Sequence, residues 1–141
     1  MKYLLFILFF TACSRTPITR KRRLNLIPES EEIAQGKLAY QEILRKETLA
    51  NRPRINSILQ RVGKRVASVS GRSDYQWEFK LIENETPNAF CLPGGKVAIY
   101  TGILPYAKNE AGLATIIGHE VGHAIARHGG QRIGHQIGAN L

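Results

Sequence analysis

The chain has 141 residues, 43% of them hydrophobic and 22% charged, enough to bury one modest core and too few for two domains. Twenty Lys and Arg against eleven Asp and Glu leave a formal net charge of +9, which points to an anionic membrane surface, to nucleic acid, or simply to solvated basic helix faces. There is no aromatic-interleaved basic platform and no zinc-finger spacing, so nucleic acid is not an expected partner.

Met1-Lys2 is followed by eight apolar residues, Tyr3 to Phe10. That stretch is far too short to span a bilayer and reads as a secretory signal over residues 1–12. Thr11-Ala12-Cys13 resembles a bacterial lipobox, in which the cysteine is lipidated and becomes the mature N-terminus; Phe10 stands where a leucine-like residue is usual. An ordinary signal peptide and an uncleaved anchor are the alternatives. Residues 13–28 carry two prolines and the run Arg20-Lys21-Arg22-Arg23. They read as a basic tether that either lies near lipid headgroups, each charge adding about 1 kcal/mol, or is a solvated linker. The implied setting is the bacterial envelope, lipid-anchored and facing the periplasm, or else secreted or periplasmic and soluble.

Ser30 before Glu31-Glu32 marks a helix start, with the helix running to about Thr48. Pro53 opens a second helix, whose core face is Ile55, Ile58, Leu59, Val62, Val66 and Val69. Ser70 to Asp74 breaks it. Trp77 to Ile82 alternates apolar and charged residues as a half-buried strand does. Thr86-Pro87-Asn88 and Pro93-Gly94-Gly95 are turn punctuation, and Lys96 to Tyr100 is the next strand. A further helix starts near Asn109-Glu110. The order is therefore helix, helix, strand, strand, helix, an α+β domain. Cys13 and Cys91 do not form a disulfide framework. Cys91 reads as a small buried residue near the sheet, against the alternatives of a reactive thiol or a metal ligand.

The last helix carries His119-Glu120-Val121-Gly122-His123. Four residues is slightly more than one helical turn, so the two imidazoles share a face and can grip one ion, Zn2+ in this motif. Glu120 between them can reach a water on that ion and act as general base. The pattern is short, but its flanks are apolar and helix-compatible, from Ala111 to Gly118 and from Ala124 through Ala126 to Arg127-His128. Two exposed histidines around a solvated glutamate is the bland alternative. Gly118 and Gly122 each cost the helix about 1 kcal/mol, which is easier to understand if backbone or substrate approaches there. Small residues recur every four positions from Ala114 through Gly118, Gly122, Ala126, Gly130 and Gly134 to Gly138 and read as close packing inside a soluble domain; Gly129-Gly130 can equally end the helix.

A third ligand is not evident. Glu110, nine residues before His119, faces the opposite side of the helix. His128 is five residues past His123 and is expected to point well away from it, and His135 returns only if the chain turns at Gly129-Gly130.

The chain resembles the forty-eighth metallopeptidase family, the HtpX- and BepA-like zinc peptidases of the cell envelope. The resemblance rests on Pro87-Asn88-Ala89-Phe90-Cys91-Leu92-Pro93-Gly94-Gly95, on Val97-Ala98-Ile99-Tyr100-Thr101-Gly102-Ile103-Leu104, and on Gly118-His119-Glu120-Val121-Gly122-His123-Ala124 with Ala126-Arg127-His128. It covers roughly Glu29 to the end. Cys91 departs mildly from the small residue common there. The resemblance implies a zincin fold with the motif on a central helix and the strand Lys96 to Tyr100 bordering the cleft. It also implies a substrate-binding set of Asn88, Ala89, Phe90, Gly94, Gly95, Val97 and Ile99. An extended substrate adding to a sheet edge would fit that arrangement.

In that family the third ligand is a glutamate several tens of residues past the second histidine, whereas eighteen residues follow His123 here. Residues 29–141 are accordingly expected to be the N-terminal part of a zinc metallopeptidase domain, from a truncated or split gene or a fragment, and inactive alone. The expected function is zinc-dependent endopeptidase action on unfolded or misassembled envelope proteins. The rival is a non-catalytic envelope lipoprotein that uses the scaffold to bind clients or partners.

Overall fold

The computed structural model describes residues 27–128. Cys13, the signal segment, the basic tether up to residue 26, Gly129-Gly130 and His135 lie outside them. Among the described residues no helix is long and apolar enough to cross a membrane.

Helix α1 (Glu29–Lys46) begins one residue before the expected cap. Pro28 occupies the N-cap position, and its carbonyl accepts from the amides of Glu31 and Glu32. Three acids fill the first turn and Arg45 and Lys46 the last, each placed favourably on the helix dipole. The helix also stops short of Thr48. The segment from Thr48 to Ala50 is drawn instead onto the sheet, where Ala50 N donates to Leu81 O and Glu83 N to Thr48 O. Helix α2 (Pro53–Ser68) starts on its proline as expected. Leu59 and Val62 are buried, but Val69 is the C-cap and 83% exposed, so it is not part of the core face.

Among the described residues three strands form, not two. They are β1 (Glu78–Ile82), β2 (Ala89–Leu92) and β3 (Lys96–Tyr100). Trp77 falls just outside β1, its indole donating to Arg72 O and its ring stacked near Phe79. The sheet order is β1-β3-β2, with β1 parallel and β2 antiparallel to β3. The expectation that Lys96 to Tyr100 borders a cleft is thereby corrected. This strand is paired on both sides, and Val97, Ala98 and Ile99 are 0% exposed. Burial on both faces explains why its sequence reads as nearly continuous apolar residues. The turn between β2 and β3 has Pro93 then Gly94, with Gly95 N reaching Leu92 O. Gly94 and Gly95 have φ of 84° and 83°, values that a side chain would oppose.

Alternate residues of the sheet supply two cores. Phe79, Leu81, Val97 and Ile99 pack with Leu59 and Val62 of α2 and with Leu113, Ile117, Val121 and Ile125 of the last helix. On the other face Ile82 and Ala98 pack with Tyr40 of α1, whose hydroxyl donates to Val97 O at 3.0 Å. The result is an α+β domain of three layers: α1, the sheet, then α2 beside α4. Each large apolar side chain fully buried there contributes about 1.5–3 kcal/mol.

After β3 the chain makes a 3-10 turn (Thr101–Ile103) and a short helix α3 (Leu104–Ala107) before α4 (Glu110–Ile125). The Asn109 side chain accepts from Gly112 N at 3.0 Å and caps α4 where the sequence placed its start. Its end differs from expectation: α4 stops at Ile125 and does not continue to His128. Arg127 takes a left-handed conformation, φ 55°, at the place where helices commonly turn out of register. Its guanidinium makes a two-pronged pair with Glu32 at 2.9 and 2.7 Å and donates to Ile27 O at 2.9 Å. The two side chains are only 12% and 5% exposed.

Removing one member of this pair leaves a buried charge without its partner. Glu32→Ala and Arg127→Ala are each expected to cost about 3 kcal/mol, with the double variant little worse than the poorer single one. Urea unfolding of the four chains measures this, and additive costs would show that the pair does not act as a unit.

Candidate metal centre

The core face of α4 dictates where its motif points. By helical arithmetic His119 and His123 lie about 40° apart and each about 160° from the buried Val121. Both are exposed, directly opposite the core stripe. Their Nε2 atoms are 2.9 Å apart, with the rings edge to face at 88°. Two nitrogens on one tetrahedral ion, each at about 2.0–2.1 Å, stand about 3.3 Å apart. An opening of a few tenths of an ångström therefore admits a metal between them.

Glu120 is half-buried on the flank of α4 that packs toward β2. It is close enough to Cys91 for its carboxylate to act on the thiol. Gly118 and Gly122 lie on the other flank. A Cβ built at either meets nothing within 4 Å, so no described backbone approaches there, and that side of the helix is open among the described residues.

The expected substrate set is divided by the fold. Asn88 is exposed, and its carbonyl accepts from Tyr100 N. Ala89 and Cys91 face α4, whereas Phe90 faces α1 and meets Tyr100 edge-on. Gly94 and Gly95 form the turn against Ile33 and Trp77. Val97 and Ile99 are core. The pairing pattern settles which edge is free. Asn88 bonds toward Tyr100, so by antiparallel alternation the backbone groups of Ala89 and Cys91 point outward. Among the described residues nothing pairs with that outer edge of β2. The edge lost by β3 is supplied by β2, four residues that lie between two turns in the sequence.

His128 is the second departure. It was expected to point away from His123, yet its Nδ1 lies 2.7 Å from His123 Nδ1. The early end of α4 and the left-handed Arg127 bring it back. No spacing in the sequence signals this contact. Glu110 does face elsewhere, forming a two-pronged pair with Arg61 at 2.8 and 2.6 Å that holds its carboxyl below the usual range. Among the described residues no group of three metal-binding side chains converges; His119 and His123 are a pair.

Burial pushes the Cys91 thiol up to about 12, with the Glu120 charge adding to the shift. Cys91 is thus a neutral, partly buried thiol at neutral pH. The folded state holds its proton more tightly, so the contribution to stability is full below the unfolded thiol's pKa of about 8.5 and is lost as pH climbs toward about 12. In the Cys13→Ser chain, iodoacetamide at pH 8 should alkylate Cys91 at least about a hundredfold more slowly in the folded protein than in urea. Equal rates would show that the thiol is solvated.

Peptidase family M48 matches residues 53–141, well over half of the chain. The chain is 40% identical over 128 residues to the mitochondrial metalloendopeptidase OMA1 of Schizosaccharomyces pombe, covering 89% of this chain and 38% of that protein. It is 48% identical over 62 residues to the Arabidopsis thaliana protein of the same name, 44% of this chain and 13% of that one. It is 29% identical over 98 residues to the beta-barrel assembly-enhancing protease of Escherichia coli (strain K12), 70% of this chain and 20% of that protein. The chain thus spans well under half the length of these relatives. With the HExxH motif on a helix whose opposite face is core, and with this match across both helix and sheet, the chain belongs to peptidase family M48, a family of metal-dependent peptidases.

Proposed function

We propose that the protein is a zinc-dependent endopeptidase acting on unfolded or misassembled proteins of the cell envelope. The observation that carries the reading is the pair of Nε2 atoms 2.9 Å apart on the outward face of α4, with Glu120 on the flank toward β2, whose outer edge is unpaired among the described residues. His119 and His123 would hold the ion; a catalytic zinc site takes three protein ligands, and no third converges with these two among the described residues. A zinc ion held there would supply an acidified water, with a pKa of about 7, and Lewis-acid polarisation of a carbonyl. Glu120 would act as general base toward a water attacking the carbonyl and as proton donor to the leaving amine. The outward amides and carbonyls of Ala89 and Cys91 can pair with an extended substrate, which holds its carbonyl in place for attack. A folded protein presents few extended, unpaired segments, so this edge favours unfolded chains. The name of the E. coli relative supports an envelope substrate, while the S. pombe and A. thaliana relatives are named mitochondrial.

Cleavage of unfolded casein by the zinc-loaded protein in its full length tests the reading. Glu120→Gln is expected to lower turnover about a hundred- to ten-thousand-fold while zinc stays bound, and His119→Ala to lose the zinc. Turnover unaffected by Glu120→Gln would remove Glu120 from the reaction. Binding of casein without any cleavage would instead favour a client-binding scaffold.

The attachment proposed for the protein is through Cys13, supported by the small residues before it and the basic run Arg20-Lys21-Arg22-Arg23 after it. Metabolic labelling with a fatty-acid analogue should mark the wild type and not Cys13→Ser. Equal labelling of both would place any lipid elsewhere, and no labelling of either would leave simple secretion.

A further inference from the structure

We propose that His128 is a positioning residue for the metal-binding imidazole of His123. The inference rests on the reading of His119 and His123 as zinc ligands. A ring nitrogen that binds a metal must offer a lone pair, so the other nitrogen of a neutral imidazole carries the proton. In His123 the two nitrogens have separate neighbours. Nε2 faces His119 Nε2 at 2.9 Å, and Nδ1 faces His128 Nδ1 at 2.7 Å. With His123 Nδ1–H donating to His128 Nδ1, the Nε2 lone pair points at the place where the ion would sit. The opposite tautomer would put the proton on the nitrogen that has to bind.

His128 does not act as a ligand in this arrangement. The two lone-pair directions of an imidazole diverge, so a group on the Nδ1 side of His123 stands behind the ring, away from an ion on Nε2. The rings are tilted at 57° with centroids 4.9 Å apart, which suits an edge-to-edge N–H···N contact. Outer partners of this kind fix ring orientation and are worth 10–100-fold in metal affinity.

The position of His128 is built by the fold and not by helix geometry. In a continuing helix a residue five places on would lie about 140° around from His123. Instead α4 ends at Ile125 and Arg127 turns left-handed. Its guanidinium is fixed by the buried Glu32 carboxylate and by Ile27 O. That anchor sets the direction of the backbone at the next residue, and the imidazole of His128 comes back against His123.

Three measurements on the full chain test the assignment. In the zinc-loaded wild type, long-range proton–nitrogen spectra should show His123 protonated on Nδ1 and metal-bound through Nε2; the reverse assignment overturns the proposal. Competition with a chelator should show Zn2+ and Co2+ affinity falling 10–100-fold in His128→Ala and returning to within a few-fold in His128→Asn, whose Oδ1 offers an acceptor near the Nδ1 position. The visible spectrum of bound Co2+ should change in the alanine variant and revert in the asparagine one. Wild-type affinity in His128→Ala, or equal loss in both variants, overturns the proposal while leaving the zinc reading intact. Retention of the ion by His119→Ala would overturn the zinc reading itself, and this inference with it.

Discussion

A helix that buries Leu113, Ile117, Val121 and Ile125 has no freedom to choose what its other face presents. That constraint organises the candidate centre. The core stripe of α4 is pinned against β3 and α2, so His119 and His123 must emerge on the opposite side and Glu120 on the flank between helix and sheet. No polar network is needed to aim the two imidazoles; apolar packing fixes the helix rotation and the 3.6-residue period does the rest. The cost falls on the exposed side, where Gly118 and Gly122 weaken the helix and add no packing.

Packing fixes the rotation of α4 but not where it stops. That is decided by an ion pair between its C-terminal turn and the first turn of α1, Arg127 with Glu32. Desolvating both partners is costly, and their attraction is only repaid when the hydrogen bonds are well formed. Here the fork of the guanidinium meets both carboxylate oxygens and a backbone carbonyl in addition. The pair also holds a non-glycine residue at positive φ, a conformation that otherwise costs about 1 kcal/mol or more. Structure at the site therefore depends on a helix in the outer layer on the far side of the sheet.

Local signals were legible wherever a residue acts on its own neighbours. Asn109 capped α4, Pro53 opened α2, and Lys96 to Tyr100 formed a strand with the bounds read from the sequence. The motif geometry followed from spacing alone. Features decided by distant partners were not legible. Thr48 and Leu49 left α1 because β1 offered backbone partners. Ala89 to Leu92 became a strand although only four residues lie between two turns, because β3 was there to pair with. With β2 paired to it, β3 is central, and the outer edge on that side, unpaired among the described residues, belongs to β2. His128 returned to His123 through a contact 95 residues away in sequence, which no periodicity within α4 encodes.

The Glu32–Arg127 bridge also sets a timetable. During synthesis α1 precedes the other described elements, but the residue that secures it to α4 follows 95 positions later, after β1, β2 and β3 have been made. Loop-closure entropy delays such a contact until shorter-range pairings have brought its ends together. A nascent chain therefore carries its HExxH segment before the turn that carries His128 is fixed. The geometry at the end of α4 is completed only when α1 has docked, which ties the assembly of the candidate centre to the described helix farthest from it in sequence.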